Sequence, residues 1–284
     1  MKIAITGAGG LVGKEFVRQL SAHNRVVALT HEDLDITDRA AVEQNIFSER
    51  PSVIINCAVL GVDRCERDPN RAWAINVAGA EALAEAANQI NADFVQLSTN
   101  YVFGDELRDS FFTIDDDPAP INVYGETKLA GETATKKVNN KCYVVRTSWV
   151  FGPDKQNFFS ATPLALKAGR KIRAITDVRA SATYVSDLVS RTIDILSRGR
   201  YTTYHVVNDG VCSYFDFAIE AGRVLRISDR QLDELIEKVQ LDQMGLPAKR
   251  PRYTPMRCQV SEALGLAPMR HWHDALAEHI ASMF

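Results

Sequence analysis

Short apolar runs rich in β-branched residues alternate with longer amphipathic stretches over the first 150 residues of the chain. The runs are typical of strands, and apolar residues at helical spacing are typical of helices. Strands are predicted at residues 2–6, 25–30, 53–58, 94–98 and 143–147, and helices at residues 12–20, 40–47, 71–89 and 124–137. This alternation predicts βαβ units around a parallel sheet that is buried on both faces.

The pattern becomes less regular after Phe151. Helices are predicted at residues 158–166, 185–196, 214–225, 232–239 and 272–282, and strands at residues 172–175 and 204–207. Because no repeat, low-complexity stretch or flexible linker divides the chain, we expect this part to pack against the first as a cap.

Composition and charge narrow the range of partners. Hydrophobic residues make up 46% of the 284 residues and charged residues 24%, which is typical of a globular protein with a sizeable core. Basic and acidic residues number 33 and 36, so the net charge is -3. Since nucleic acid and anionic membranes attract a basic surplus, neither is expected as a partner.

The cysteines are odd in number and irregularly spaced, and they include no C-x-x-C pair; they are Cys57, Cys65, Cys142, Cys212 and Cys258. This pattern predicts reduced thiols and argues against a disulfide framework or a structural metal site. The sequence shows neither a signal-peptide pattern nor an apolar run long enough to span a bilayer, so we expect a cytoplasmic protein.

A glycine-rich turn follows the first predicted strand and precedes the first predicted helix. Gly7, Gly10 and Gly13 stand at G-x-x-G-x-x-G spacing. Glycines allow a tight turn and let the backbone approach a phosphate without a Cβ, and the helix end then offers free N–H groups and partial positive charge. The motif predicts a site for the pyrophosphate of a dinucleotide.

The end of the second predicted strand bears on the choice of cofactor. Folds that select NAD often place an acidic residue there to bind the ribose hydroxyls. This strand ends at Thr30 and His31, with Glu32 and Asp33 only afterwards. Because no acid stands at the tip to repel a 2′-phosphate, we expect NADPH, with NADH as the alternative.

Tyr124 and Lys128 form a Tyr-x-x-x-Lys pair at the start of a predicted helix, where residues four apart share one face. An ammonium beside the phenol is expected to lower its pKa from about 10 and so favour proton donation to a carbonyl oxygen. Thr99 ends the preceding strand, on the edge where open α/β sheets bind ligands. Its hydroxyl could bond to the same carbonyl oxygen.

Together these motifs resemble the extended short-chain dehydrogenase/reductases and, within them, the dTDP-4-dehydrorhamnose reductase family. The resemblance runs along essentially the whole chain. It is carried by the glycine loop and by residues 34–38, 53–58, 62–63, 98–103, 120–132, 146–151, 204–210 and 250–253.

The resemblance implies a Rossmann-type, doubly wound parallel α/β sheet with a smaller C-terminal α/β substrate-binding domain. The NAD(P)-binding domain would span residues 1–150, with a segment of about 176–200 returning to it, and residues 151–284 would mainly bind substrate. Because members of the family are often dimers, a homodimer is expected. The implied activity is NAD(P)H-dependent reduction of the 4-keto group of a nucleotide-linked deoxysugar, dTDP-4-dehydro-L-rhamnose to dTDP-L-rhamnose.

Roles follow from the resemblance residue by residue. Tyr124 would donate the proton to the ketone, Thr99 would orient the carbonyl, and Lys128 would also hold the nicotinamide ribose. Further implied cofactor contacts are Gly7, Gly10, Leu11, Val12, Thr30, His31, Asp35, Ile36, Cys57 and Ala58. Implied substrate contacts are Asn100, Tyr101, Trp149 and Arg252; the planar guanidinium of Arg252 suits a nucleotide diphosphate.

Departures from the family pattern cluster near the substrate and leave alternatives open. Asn100 stands where the family usually has Asp, and Cys57-Ala58-Val59-Leu60 replaces Ala-Ala-Tyr-Thr. One alternative is a non-catalytic regulatory subunit of the methionine adenosyltransferase β type, and another is a related sugar-nucleotide epimerase. A dehydratase would usually require an acid beside the strand-end hydroxyl, and Asn100 disfavours it.

Overall fold

A computed structural model describes residues 1–105, 108–153 and 157–284 of the chain. Its strands are β1 (Lys2–Thr6), β2 (Arg25–Leu29), β3 (Val53–Asn56), β4 (Asp93–Thr99), β5 (Cys142–Thr147), β6 (Val150–Phe151), β7 (Ile172–Ile175), β8 (Arg179–Ala180), β9 (Thr183–Tyr184), β10 (Thr203–His205), β11 (Cys212–Ser213), β12 (Ile236–Val239) and β13 (Tyr253–Thr254).

The helices are α1 (Leu11–Leu20), α2 (Arg39–Glu49), α3 (Val62–Arg67), α4 (Pro69–Trp73), α5 (Ala80–Gln89), α6 (Val123–Val138), α7 (Phe158–Lys167), α8 (Val185–Arg198), α9 (Tyr214–Val224), α10 (Asp229–Leu235), α11 (Gln259–Ala263) and α12 (Trp272–Met283). A π-helical turn (Ala74–Gly79) joins α4 to α5, and 3-10 turns lie at Asn100–Val102 and Leu241–Met244. Within the described ranges, no helix combines the length and the apolar character needed to cross a membrane.

The central sheet is parallel and has six strands in the order β10-β5-β4-β3-β1-β2. The chain turns from β1 outward to β2 and then crosses back to β3 on the other side of β1. At such a switch point the loops after neighbouring strands diverge and open a crevice beyond the carboxyl ends of the strands. The predicted doubly wound α/β fold is therefore confirmed.

Both faces of this sheet are buried. Ile5, Val95 and Val145 belong to one apolar cluster, which also contains residues of α1 and α8. Ala4 and Ile54 belong to the cluster on the opposite face, beneath α2 and α5. Burial on both faces explains why the strands read as continuous apolar runs and why the hydrophobic pattern located them so well.

The chain after β6 contributes both to the central sheet and to a second core. α8 lies against α1, with Leu188 and Phe16 in one cluster, and β10 extends the sheet beside β5. α7, α9, α10 and α12 surround a separate core that contains Phe151, Phe217 and Trp272. Small sheets of the orders β11-β8-β13, β12-β7 and β6-β9 complete this part.

Two predicted elements differ from the structure. The helix predicted over residues 232–239 is wrong in its second half, because α10 ends at Leu235 and β12 pairs in parallel with β7. Leu232, Ile236 and Val239 fit one face of a helix as well as a short strand, so pairing with a distant segment decided the outcome. The single helix predicted over residues 71–89 is interrupted by the π-helical turn.

Candidate active site

The glycine-rich turn between β1 and α1 forms a cradle of bare backbone. Gly7 has a φ of +65°, and a Cβ on it would come within 2.7 Å of the backbone nitrogen of Ala58. A Cβ on Gly13 would overlap the carbonyl oxygen of Gly7. α1 begins after Gly10 with no side chain capping its end, so its first N–H groups face the crevice as a phosphate site requires.

A cavity of about 150 Å³ brings predicted cofactor and catalytic residues together. Val12, Cys57 and Ala58 line it from the side of the glycine loop. Tyr124 and Lys128 line it from α6. Leu11, the first residue of α1, instead packs against the second core. The cavity therefore brings three of the predicted cofactor contacts next to the predicted Tyr124–Lys128 pair.

The end of β2 is shaped by two carboxylates that bond to nearby groups. Thr30 donates to Asp33 Oδ2 from its backbone nitrogen at 2.9 Å and from its hydroxyl at 2.7 Å. Asp35 Oδ1 accepts from the backbone and the hydroxyl of Thr37, and these bonds hold the pKa of the Asp35 carboxyl below its usual value. His31 is exposed and Ile36 is buried. Both acids thus stabilise turns.

Thr99 and Tyr124 meet at the carboxyl end of β4. Asn122 caps α6 by accepting from the backbone nitrogen of Gly125 at 2.7 Å, which places Tyr124 in the first turn. Burial raises the pKa of the Tyr124 phenol above its ordinary value of 10, and the Thr99 hydroxyl opposes this rise by hydrogen bonding to it. The predicted lowering of this pKa is therefore wrong for the ligand-free protein, in which the phenol keeps its proton.

The ammonium of Lys128 makes its hydrogen bond elsewhere. Its Nζ donates to the carbonyl oxygen of Leu97 at 2.6 Å, and burial lowers the pKa of its ammonium to about 8. The largest influence that opposes this lowering is the charge of Glu132, one turn further along α6. Glu132 accepts from Ser98 Oγ and forms a buried ion pair with Arg146 at 2.8 Å. The Lys128 ammonium is thus directed at Leu97 of β4 and lies near Glu132.

Tyr101, in the 3-10 turn after β4, adjoins Tyr124. Its ring meets that of Tyr124 edge-to-face, with centroids 5.6 Å apart. The guanidinium carbon of Arg250 lies 6.0 Å from the centroid of the Tyr101 ring, and Arg250 pairs with Asp63 at 2.8 Å. A cation and two phenol groups therefore converge close to Thr99.

Trp149 occupies a backbone conformation that few large residues adopt. Its φ is +42°, in the left-handed region, where a bulky side chain costs conformational energy. The indole stacks on Phe159 with centroids 4.7 Å apart and contacts Tyr214 at 4.4 Å. The phenol of Tyr214 lies near enough to Tyr101 for the Tyr101 phenol to contribute to its raised pKa, of which burial is the main cause. Trp149, Phe159 and Tyr214 form one aromatic cluster, which local sequence could not reveal.

Arg252 lies apart from the small cavity and lines a larger one of about 420 Å³, together with Arg250 and Lys249. Its guanidinium forms ion pairs with Asp177 and, at 3.2 Å, with Asp242. Its backbone nitrogen donates to Asp105 Oδ1 at 2.7 Å. The structure thus places Arg252 in a cavity separate from that of Tyr124; we call it the basic cavity for its three basic residues, although Asp105 and Asp242 also line it.

Sequence reasoning missed Asn76, which lies buried in the π-helical turn. Its Oδ1 accepts from the backbone nitrogen of Leu60 at 3.0 Å, and its Nδ2 donates to the hydroxyl of Thr127 at 3.0 Å. Thr127 immediately precedes Lys128, so Asn76 anchors the turn of α6 that carries Lys128. The available signal was an amide between the apolar residues Ile75 and Val77 of an alanine-rich helix. No cluster of three or more potential metal ligands occurs within residues 1–105, 108–153 and 157–284.

Comparison with known proteins places the chain in a family. The family model described as the RmlD substrate binding domain matches residues 1–284. The dTDP-4-dehydrorhamnose reductase of Mycolicibacterium smegmatis is 38% identical over 99% of this chain and 86% of its own length. The crystal structure of the Clostridium acetobutylicum dTDP-4-dehydrorhamnose reductase has a TM-score of 0.92 and 35% identity, covering 100% of this chain and 99% of that one.

The dTDP-4-dehydrorhamnose reductase of Bacillus anthracis, solved in complex with NADP, has a TM-score of 0.93 and 32% identity, covering 99% of each chain. The agreement extends over both the central sheet and the part after it. The resemblance found in the sequence is confirmed, and the chain belongs to the RmlD substrate binding domain family, with dTDP-4-dehydrorhamnose reductases among its relatives.

Proposed function

We propose that the protein is an oxidoreductase that uses NADPH to reduce the 4-keto group of dTDP-4-dehydro-L-rhamnose to dTDP-L-rhamnose, with NADH as the alternative cofactor. The observation that carries the proposal is the small cavity in which Val12, just after the glycine-rich turn, and Cys57 share one lining with Tyr124 and Lys128. A reduced nicotinamide and a proton donor must both reach one carbonyl group. This cavity brings the residues proposed to border the cofactor next to the proposed proton donor, Tyr124.

The chain's own residues fit such a cofactor. Gly7, Gly10, Leu11 and Val12 would hold the pyrophosphate, because a side chain at Gly7 would fill the cradle and the end of α1 is uncapped. Thr30, His31, Asp35 and Ile36 would surround the adenosine end, and Cys57 and Ala58 would border the nicotinamide. Asp33 and Asp35 accept from threonines of their own turns, so these oxygens are engaged there and are less available to the ribose hydroxyls that an NAD-selecting acid would bind. The bound cofactor would supply hydride to the carbonyl carbon.

Tyr124 would donate its proton to the carbonyl oxygen as that oxygen becomes an alcohol. Its raised pKa keeps the phenol protonated, which is the form required for donation. Thr99 would orient the carbonyl from the end of β4. Lys128, which lies in the same cavity, would hold the cofactor's ribose and return a proton toward Tyr124.

The substrate would extend from this point toward the basic cavity. Trp149 and Tyr101 would contact the sugar, and Arg252 would bind the diphosphate with its planar guanidinium. A phosphate would replace Asp177 and Asp242 as the partner of Arg252. Asn100 would act through its neighbour Thr99, whose hydroxyl donates to Asn100 Oδ1.

The relatives support reduction over the two alternatives, since full-length relatives of this chain are named as reductases. A regulatory subunit would need no cavity joining the phosphate cradle to a proton donor. We further propose that residues 1–150 bind the cofactor and that residues 151–284 mainly bind substrate, with the region about residues 176–200 returning to the first domain.

A homodimer and a cytoplasmic location complete the proposal. The cysteines are free thiols, as suits a reducing compartment. Light scattering on the purified protein tests the first point, with a mass twice that of the chain expected.

The decisive experiment mixes purified protein with dTDP-4-dehydro-L-rhamnose and follows oxidation of NADPH and then NADH. Turnover should fall by about 10²–10⁴ in Tyr124→Phe, which keeps the ring and removes the proton. Tyr201→Phe is the matched control, because that exposed phenol donates to Asp93 at the amino end of β4, opposite the end that carries Thr99. Failure of the wild-type protein to oxidise either cofactor with any dTDP-4-keto sugar would refute the proposal. Tight co-purification with a partner enzyme would then favour the regulatory alternative.

A further inference from the structure

The side chain of Asn100 is committed to protein groups, although the residue was predicted to contact substrate. Asn100 is only 2% exposed and begins the 3-10 turn that follows β4. Thr99 donates its hydroxyl proton to Asn100 Oδ1 at 3.2 Å and accepts from the backbone nitrogen of Tyr101 at 3.2 Å. The oxygen of the hydroxyl proposed to orient the carbonyl is therefore held in place by its neighbours, and its one proton would turn from Asn100 Oδ1 to the carbonyl oxygen when the hydroxyl acts.

The other end of the same amide reaches a distant part of the chain. Asn100 Nδ2 donates to Thr254 Oγ1 at 2.7 Å across 154 residues of sequence. Thr254 is 1% exposed and lies in β13, which pairs with β8 outside the central sheet. One buried amide thus accepts from the hydroxyl beside Tyr124 and donates to a hydroxyl in the substrate-side sheet.

A second bond ties the same two segments together. Arg252, two residues before Thr254, donates from its backbone nitrogen to Asp105 at 2.7 Å. The segment that contains Arg252, the residue proposed to bind the diphosphate, is therefore hydrogen-bonded at two points to the segment that contains Thr99. Both are direct hydrogen bonds, which weaken when their distance or angle changes, so displacement of one segment must disturb the other.

We infer that Asn100 is a positioning residue that couples the Thr99 hydroxyl to the substrate-side strand β13 through Thr254. This rests on the proposed function, since it requires that Thr99 act on the carbonyl. When the nucleotide end of the substrate is seated against the Arg252 segment, the same contact fixes the hydroxyl at the keto end. An amide suits this position because it accepts on one side and donates on the other.

The test is a double-mutant cycle between Thr254 and Thr99. Thr254→Val is nearly isosteric and removes only the acceptor, and it should lower kcat about tenfold, as expected for one buried hydrogen bond. In a Thr99→Val background the same change should lower kcat less than about twofold, since the group it acts through is gone. The Kd for NADPH should be equal in all four proteins.

Two further variants separate the bond from packing. Thr254→Ser keeps the hydroxyl and should retain kcat. Thr192→Val is the matched control, a buried threonine whose hydroxyl bonds to the Leu188 carbonyl within α8. If Thr254→Val fails to fold, Asn100→Ala in both backgrounds tests the same coupling.

An equal loss of kcat in the wild-type and Thr99→Val backgrounds would show a merely structural bond and overturn the inference. So would full activity in Thr254→Val. Absence of turnover in the wild-type protein itself would instead contradict the proposed function, and with it the inference.

Discussion

Lys128 Nζ lies 2.6 Å from the carbonyl oxygen of Leu97 and donates a hydrogen bond to it. Both groups lie in the lining of the small cavity, shielded from solvent. The charged groups around this ammonium are Glu132 on α6 and its ion-pair partner Arg146 on β5, and the thiols of Cys57 and Cys65, whose pKa values burial raises, also lie nearby. The contact gives a lysine that is nearly inaccessible to water a hydrogen-bond acceptor within the protein.

The first prediction concerns pH. Since the pKa of Lys128 is lowered to about 8, its ammonium loses its proton as the pH rises through that value. If the charged form binds the cofactor's ribose, kcat/KM for NADPH should be level below pH 8 and fall above it. A profile that stays level to pH 10 would contradict the assignment. The measurement is initial rate against NADPH concentration at saturating sugar nucleotide.

The same lowered pKa has a consequence for stability. The unfolded chain binds this proton more tightly than the folded chain between about pH 8 and the ordinary value of 10.5. Burying the charged amine therefore costs stability below pH 8, and that cost diminishes as pH rises. Lys128→Met should be inactive yet more stable than wild type at pH 7 in guanidinium unfolding. The difference should shrink by pH 10, whereas a constant difference would point to packing alone.

A third prediction tests the close approach of α1 to the glycine loop. Gly13→Ala should lower the free energy of unfolding by about 1–3 kcal/mol and weaken NADPH binding, because the new methyl overlaps the carbonyl oxygen of Gly7. Helix propensity alone would predict the opposite sign. Gly61→Ala is the matched control, since no atom lies within 4 Å of its Cβ position. Unchanged NADPH affinity in Gly13→Ala would refute this account.

A fourth prediction concerns the buried ion pair behind Lys128. Glu132→Gln leaves the guanidinium of Arg146 buried beside a neutral amide, and we expect a loss of about 3–5 kcal/mol in unfolding free energy. Glu43→Gln, which breaks the exposed pair with Arg39, should cost less than about 1 kcal/mol. Urea unfolding of the two variants measures both. Similar small losses would mean that the interior pair is well solvated.

The last prediction addresses the basic cavity. Arg252→Ala should raise KM for the sugar nucleotide at least about tenfold while changing kcat little, because a charge-assisted contact to the diphosphate is lost in ground and transition state alike. Arg257→Ala, which removes an exposed partner of Glu262, is the control. A fall in kcat at unchanged KM would place Arg252 in the chemical step instead.

The central fold could be predicted because its signals are local. Strands buried on both faces must be apolar throughout, and helices over them must repeat at helical spacing, so residues 2–6 and 124–137 were located without knowledge of their partners. The glycine loop and the Tyr124–Lys128 pair are equally local, since a few consecutive positions fix a turn or one helix face. These features indicated the reaction class from sequence.

Other features depend on partners far along the chain. Residues 236–239 became a strand because β7 supplied the pairing, and Trp149 adopts its left-handed backbone beside Phe159 and Tyr214. Burial of the Tyr124 phenol reversed the expected direction of its pKa, and Lys128 donates to Leu97.

The sequence by itself determined the parallel sheet, the glycine-rich turn and the placement of Tyr124 and Lys128 on one helix face, because each rests on short-range periodicity or spacing. Only the tertiary structure decided that Asn100 binds Thr254 and that Asn76 binds Thr127, across 154 and 51 residues. Which donor meets which acceptor in a buried site depends on the packing of whole elements, and no local pattern encodes that choice.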